Sequence, residues 1–230
     1  MVFSRSRGTR WAEVASEIVN RRAVPFARGS AAANPAILAV RLATPHTRGL
    51  AAHAALEHVD GFRWGAAAAV RGRIPAASLA EIRGCAALGW IPVEHERWVT
   101  QSVFDVLGPD GAEYFRWLVT RHLVHAPILR PMVERTTRLF GIDPGTFLRV
   151  APMAWDVMFR DFCTTRLASR GVQHAVFELV DCAPEVFEYP RYVDSWCGVV
   201  ASTFDLSHVQ GRVDCERDPE ARAVRFELRW

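Results

Sequence analysis

The chain has 230 residues, half of them apolar, with 28 basic side chains against 25 acidic ones and a formal charge of +3. Every basic residue is Arg. The absence of Lys removes Schiff-base catalysis, the Gly-Lys-Ser/Thr phosphate loop and the phosphate-pairing Lys of kinases.

Length and apolar content allow one large domain, or a domain with an extension, and a sizeable core. Charge is unevenly spread: residues 1–75 carry 11 Arg against 4 acids, and residues 76–230 carry 17 against 21. The basic excess lies in a poorly patterned start, so nucleic acid is not expected as a partner. Five Cys, odd in number and without a CxxC pair, point to reduced thiols in a cytoplasmic setting. No apolar run is long enough to span a bilayer.

In chain order, residues 1–10 read as disordered, 11–22 as a helix and 23–34 as a linker. Residues 37–42 and 50–59 read as short helices in which alanine brings propensity but little burial. A helix over 77–88 stops at Gly89, and Pro92 opens another through Leu107 with Val99, Val103 and Leu107 on its apolar face. Helices over 110–125 and 128–140 follow. Asp143-Pro144 is a cap and first turn for the next helix, which Pro152 is expected to split.

Beyond residue 170 the character changes. Residues 172–182 are apolar on both alternating sets, as in a central strand. A helix over 192–208 follows. Residues 212–218 and 223–230 then form a hairpin, with Val224, Phe226, Leu228 and Trp230 inward. Helices first and strands last argue an α+β fold, N-terminal helices packed on a small antiparallel sheet ending in a C-terminal hairpin.

Few residues carry a chemical signature. His122 and His125, three apart on a helix, could share a metal with Glu134 as a third ligand, or simply meet the helix's last carbonyls. Of Cys163, Cys182, Cys197 and Cys215 one pair could meet in space, but nothing fixes a His beside a thiol. Paired acids such as Glu94/Glu96 read as solvent-facing, and Asp156 as half of an ion pair. Phe147, Met153, Trp155, Met158, Phe159 and Phe162, with Phe177 and Leu179 on the strand, either fill the core or line a ligand pocket. No catalytic residue is assigned, and no cofactor is identified.

Several segments resemble the superfamily of 4-vinyl-reductase-type, haem–nitric-oxide-binding and Bet3-type domains, and within it a paralogous, mostly myxobacterial family. They are Val70-Arg71-Gly72, Gly89-Trp90-Ile91-Pro92-Val93-Glu94, the stretch from Phe147 to Phe159, and the tail from Gly211 to Asp218 and Arg225 to Trp230. The resemblance implies an α+β domain over residues 66–230 after a basic extension over 1–65. It implies a cavity between helices and sheet that takes a hydrophobic ligand, an acyl chain or haem, and a homodimer through the helical face. The Tyr-x-Ser-x-Arg signature of the haem-binding branch is absent, and opposite Cys215 the facing strand offers no second Cys. The leading expectation is a bacterial, cytoplasmic, non-catalytic domain that binds a hydrophobic small molecule or regulates. The alternatives are a dimeric protein-interaction scaffold with a filled pocket, and a haem- or metal-dependent enzyme using His122/His125 or a thiol.

Overall fold

The computed structural model describes residues 44–230; the elements expected over 11–22, 23–34 and 37–42 lie outside them. The described chain opens with β1 (His46–Arg48) and α1 (Gly49–Phe62). Helix α1 buries Ala52, Ala55, Leu56 and Val59 at steps of three and four, so its alanines do contribute burial, against expectation. Small side chains there let neighbouring helices approach closely. Residues 46–62 belong to the same compact unit as the hairpin.

The helical layer continues with α2 (Ala66–Arg71), α3 (Ala76–Gly84), α4 (Val93–Leu107), α5 (Gly111–Arg121), α6 (Arg130–Phe140) and α7 (Pro144–Met158). Three readings change. The helix expected over 77–88 ends at Gly84, and Trp90–Pro92 forms a strand, β2, directly before the helix that Pro92 caps and that runs to Leu107 as anticipated. The helix expected over 110–125 stops at Arg121, where His122 leaves helical geometry, and a single 3₁₀ turn follows. Helix α7 runs through Pro152 unbroken. Buried Phe147, Leu148, Trp155 and Met158 on either side hold it despite the hydrogen bond that proline removes. Its start is as anticipated: the Asp143 carboxylate accepts from the Thr146 backbone N–H at 3.1 Å, with Pro144 in the first turn.

After α7 come β3 (Phe159–Arg160), β4 (Thr164–Arg170), β5 (His174–Val180), the short α8 (Glu185–Glu188), α9 (Pro190–Leu206), β6 (Arg212–Asp218) and β7 (Ala223–Arg229). The expected strand is shorter than the apolar run: Val172 lies outside it, 93% exposed. Four antiparallel strands form one sheet in the order β4-β5-β7-β6. Phe177 lies opposite Phe226 and Ala175 opposite Leu228. These residues, with Leu179 and Val224, face a core completed by Trp196, Val200 and Phe204 of α9. The other face is polar, with Arg166 bound to Glu178 at 2.7 Å. A second, small sheet in the order β2-β1-β3 ties the two ends of the helical layer together. The molecule is therefore α+β, as its order of elements implied.

Two hydrophobic clusters result, one among α1–α5 and one between α7, α9 and the large sheet. They are joined where α9 crosses α5. There an added Cβ on Gly198 would stand 2.0 Å from the Ala112 carbonyl oxygen, so only glycine permits the approach. The Arg116 guanidinium of α5 binds the Asp205 carboxylate of α9 through two hydrogen bonds, one of 2.7 Å. The buried Tyr114 hydroxyl donates to the Ala55 carbonyl at 2.6 Å, fixing α5 to α1. Gly198→Ala should force the helices apart and destabilise the protein by about 1–3 kcal/mol, as overpacking does. Urea unfolding would measure this; an unchanged midpoint would contradict the close approach.

Candidate functional site

A cavity of about 220 Å³ lies where the two clusters meet. Its walls include Ala55 of α1, Val99 of α4, Leu118 of α5, Val133 of α6, Ala154 of α7 and Val199 of α9. Small residues on two helices, Ala51, Ala52 and Ala55 of α1 and Ala151 and Ala154 of α7, leave the space open. Phe177 of the central strand closes the sheet side.

Of the aromatic and sulfur-bearing residues singled out from the sequence, Phe147, Trp155, Met158, Phe159 and Phe177 line this cavity. Met153 does not; it is 55% exposed on the outer side of α7. Phe162 and Leu179 are buried behind the lining, Phe162 stacked on Phe159 at 4.9 Å and edge-on to Trp196 at 5.2 Å. Phe159 and Phe162 are not on the helix with Trp155: α7 ends at Met158, Phe159 opens β3 and Phe162 follows it. The stack of Trp155 on Phe159, 4.7 Å between centroids, keeps them together nonetheless.

The sequence reading missed Glu96, the only ionisable residue in the lining among the described residues. It was taken for a solvent-facing acid, yet it shares a helix face with Val93, Val99, Thr100 and Val103, all buried. An acid in register with that stripe was the available signal. Tyr192 of α9 donates its hydroxyl to Glu96 Oε2 at 2.6 Å. Thr47 of β1 adds its hydroxyl beside the same carboxyl and has no other partner. Burial outweighs both hydrogen bonds and raises the Glu96 carboxyl to about 7. Burial and the neighbouring Glu96 charge push the Tyr192 phenol well above its ordinary value.

His122 and His125 lie at the far end of α5. The His122 ring stacks on that of His58 at 3.7 Å, nearly parallel, with Trp117 edge-on at 4.8 Å. Burial, then the neighbouring His58, lower the pKa of His122. Glu134 is bound to Arg130 at 2.7 Å on α6. Among the described residues no group of three or more His, Cys, Asp or Glu is arranged to hold a metal ion. One pair of thiols does meet: Cys197 of α9 and Cys215 of β6 share a hydrogen bond, which lowers the Cys215 thiol, with Arg217 assisting, and raises that of Cys197. His174 bonds Glu227 at 3.2 Å rather than a thiol.

No protein-family profile matches the chain, and no curated protein matches it in sequence. Solved structures do match in fold. The unliganded Fe(II) H-NOX protein from K. algicida aligns with a TM-score of 0.55 at 10% identity, over 79% of this chain and 95% of that one. An oxygen-binding H-NOX domain related to soluble guanylate cyclases aligns with a TM-score of 0.53 at 12% identity, over 79% and 93%. The chain thus shares the α+β fold of H-NOX domains.

Haem does not fit this cavity. Haem iron takes an axial His, Cys, Tyr or Met, with Met usually opposite a His. Among the described residues the lining contains no His, Cys or Tyr, and its thioethers, Met132 and Met158, stand without a histidine. No described Arg lines it to meet the porphyrin carboxylates.

Glu96 gives the site a pH signature. Below pH 4.5 the carboxyl is protonated both folded and unfolded. As pH rises toward about 7 the folded state keeps a proton that the unfolded chain releases, so stability falls and the loss is complete above 7. Glu96→Gln, neutral throughout, should gain about 3 kcal/mol over wild type at pH 8 and show no such gain at pH 4. Chemical denaturation at the two pH values would measure this. An equal difference at both would mean that Glu96 is not held neutral by burial.

Proposed function

We propose that the described chain is a non-catalytic, ligand-binding regulatory domain whose cavity takes a small hydrophobic molecule. The observation that carries this reading is the cavity itself: walled by residues of two packed clusters, mostly apolar, and lined by alanines where larger side chains would fill it. A well-formed apolar pocket with a few convergent polar groups is what small-molecule sites look like. The fold shared with H-NOX domains, whose solved representatives include an oxygen complex, supports a sensing role. The sequence resemblance supports membership of the 4-vinyl-reductase and haem–nitric-oxide superfamily, as a branch that exchanged haem for a purely organic ligand. Thiols throughout, with no disulfide, suit a bacterial cytoplasm, and no described helix is long and apolar enough to cross a membrane. The basic N-terminal residues are read as an extension to this domain.

A second reading, the homodimeric interaction scaffold, is favoured by Leu139, Phe140 and Ile142, each more than half exposed where α6 meets α7. Only its dimer is compatible with the first reading; the filled pocket that the scaffold alternative supposes is not.

Ethylbenzene tests the cavity. At ten times its Kd it should stabilise the wild-type protein by about 1.4 kcal/mol. Ala154→Leu, which puts a larger side chain into the space, should remain folded and lose that response. A melting temperature insensitive to ethylbenzene in the wild type would contradict the reading.

A further inference from the structure

Helix α9 and the edge strand β6 meet through two neighbouring contacts, one ionic and one between thiols. Asp194 and Cys197 lie three apart on α9 and share a face. Cys215 and Arg217 lie two apart on β6 and point to the same side of the sheet. Arg217 binds Asp194, and Cys197 shares a hydrogen bond with Cys215. The strand register agrees with this orientation. Cys215 stands opposite Phe226 of β7, which is fully buried in the core shared with α9. Strand β6 ends the sheet, so its inner side is partly open. Cys197 and Cys215 are both half-buried, within reach of a small solute, whereas Cys182 is fully buried. Neither member of the pair lines the cavity, and the reading of that cavity does not use them.

Single buried thiols usually serve as small apolar groups. Two thiols brought together from separate elements, with a guanidinium beside them, have further chemistry open to them. The hydrogen bond from Cys197, helped by Arg217, outweighs burial and the nearby Asp194 and holds the Cys215 thiol below its ordinary value. Cys215 is therefore the sulfur that supplies a thiolate, the reactive form. The same hydrogen bond and burial keep Cys197 protonated. One sulfur is set to attack and the other to follow.

We propose that Cys197 and Cys215 are a redox modification site, forming a reversible disulfide in response to hydrogen peroxide and clamping α9 to the sheet edge. The Cys215 thiolate attacks one peroxide oxygen. An S–O bond forms, the O–O bond breaks, and the departing hydroxide takes up a proton to become water. The sulfur of Cys197 then attacks the sulfenic sulfur of Cys215. The S–S bond forms, the S–O bond breaks, and the hydroxyl leaves with the Cys197 proton as a second water. Two thiols give up two electrons and two hydrogens, and the peroxide is reduced to water. A dithiol reductant reverses the bond by exchange. Cys197 lies between Trp196, which lines the cavity, and Gly198, where α9 crosses α5. The clamp thus acts on the stretch of α9 that holds the two clusters together.

Peptide mapping of the full chain tests this. The reduced, folded protein is treated with hydrogen peroxide in slight excess, its remaining thiols are alkylated in denaturant, and it is cut with trypsin. Cleavage after Arg places Cys197 and Cys215 in separate peptides, 192–212 and 213–217. The expected product is those two peptides joined, lighter by two hydrogens than their sum, and separated again by dithiothreitol. The oxidised protein should melt roughly 5–10 °C above the reduced one. The order of attack is read with dimedone, which captures sulfenic acid. It should label Cys215 in Cys197→Ser about tenfold faster or more than Cys197 in Cys215→Ser. The proposal is overturned if no joined peptide forms, if it forms only in urea, if other cysteine pairs join as readily, or if the bond lowers the melting temperature. Equal dimedone labelling overturns the assigned roles. Should either variant not fold, the wild-type map and melting temperature decide alone.

Discussion

The close crossing of α5 and α9 at Gly198 governs the rest of the molecule. Each helix belongs mainly to a different hydrophobic cluster, so their separation sets how far the helical layer stands from the sheet-bound layer. The same two helices contribute Leu118 and Val119 from one side and Val199 and Ser202 from the other to the cavity wall. The missing Cβ at Gly198 and the Arg116–Asp205 pair fix that separation. The alanines of α1 and α7 then leave space that larger residues would have filled. The cavity is a product of helix spacing plus small side chains, and its wall is mostly apolar.

Likeness of fold and likeness of chemistry part company here. The chain adopts the architecture of H-NOX domains at 10 to 13% identity for several solved examples, yet among the described residues its cavity wall offers neither an axial histidine nor cations for porphyrin carboxylates. What the described lining holds instead is a carboxyl, Glu96, whose pKa burial raises to about 7 and which accepts the Tyr192 hydroxyl. Function rests on the site, and the same fold can carry unrelated ligands. The absence of lysine has a local counterpart: among the described residues no cationic side chain lines the cavity.

How much of this was legible in the sequence varies by scale. The order of helices and strands, the Asp143 cap and the inward set Val224, Phe226 and Leu228 follow from local rules and appear as read. Strands β1, β2 and β3 are two or three residues long, too short for any periodicity, and they exist only because distant segments pair. Strand β4 has one buried position, Thr165, on an edge, and gave no alternation to read. Pro152 was taken as a break because local propensity forbids it; tertiary packing on both sides overrides that preference. At the site, aromatic bulk drew attention to Trp155 and Phe177, but bulk also marked Phe162 and Leu179, which lie one layer behind. Glu96 was readable from its register with Val93, Val99 and Val103, though its partner Tyr192 lies 96 residues away and only the fold brings the two together.

The central claim is that an open, apolar space exists between α7, α9 and the central strand in the folded protein. A crystal of the protein pressurised with xenon tests it most directly, because xenon enters dry apolar cavities without needing a specific contact. The account predicts a strong xenon peak bounded by Ala154, Val199 and Phe177. Well-ordered density with no xenon at that position, and side chains closed over it, would contradict it.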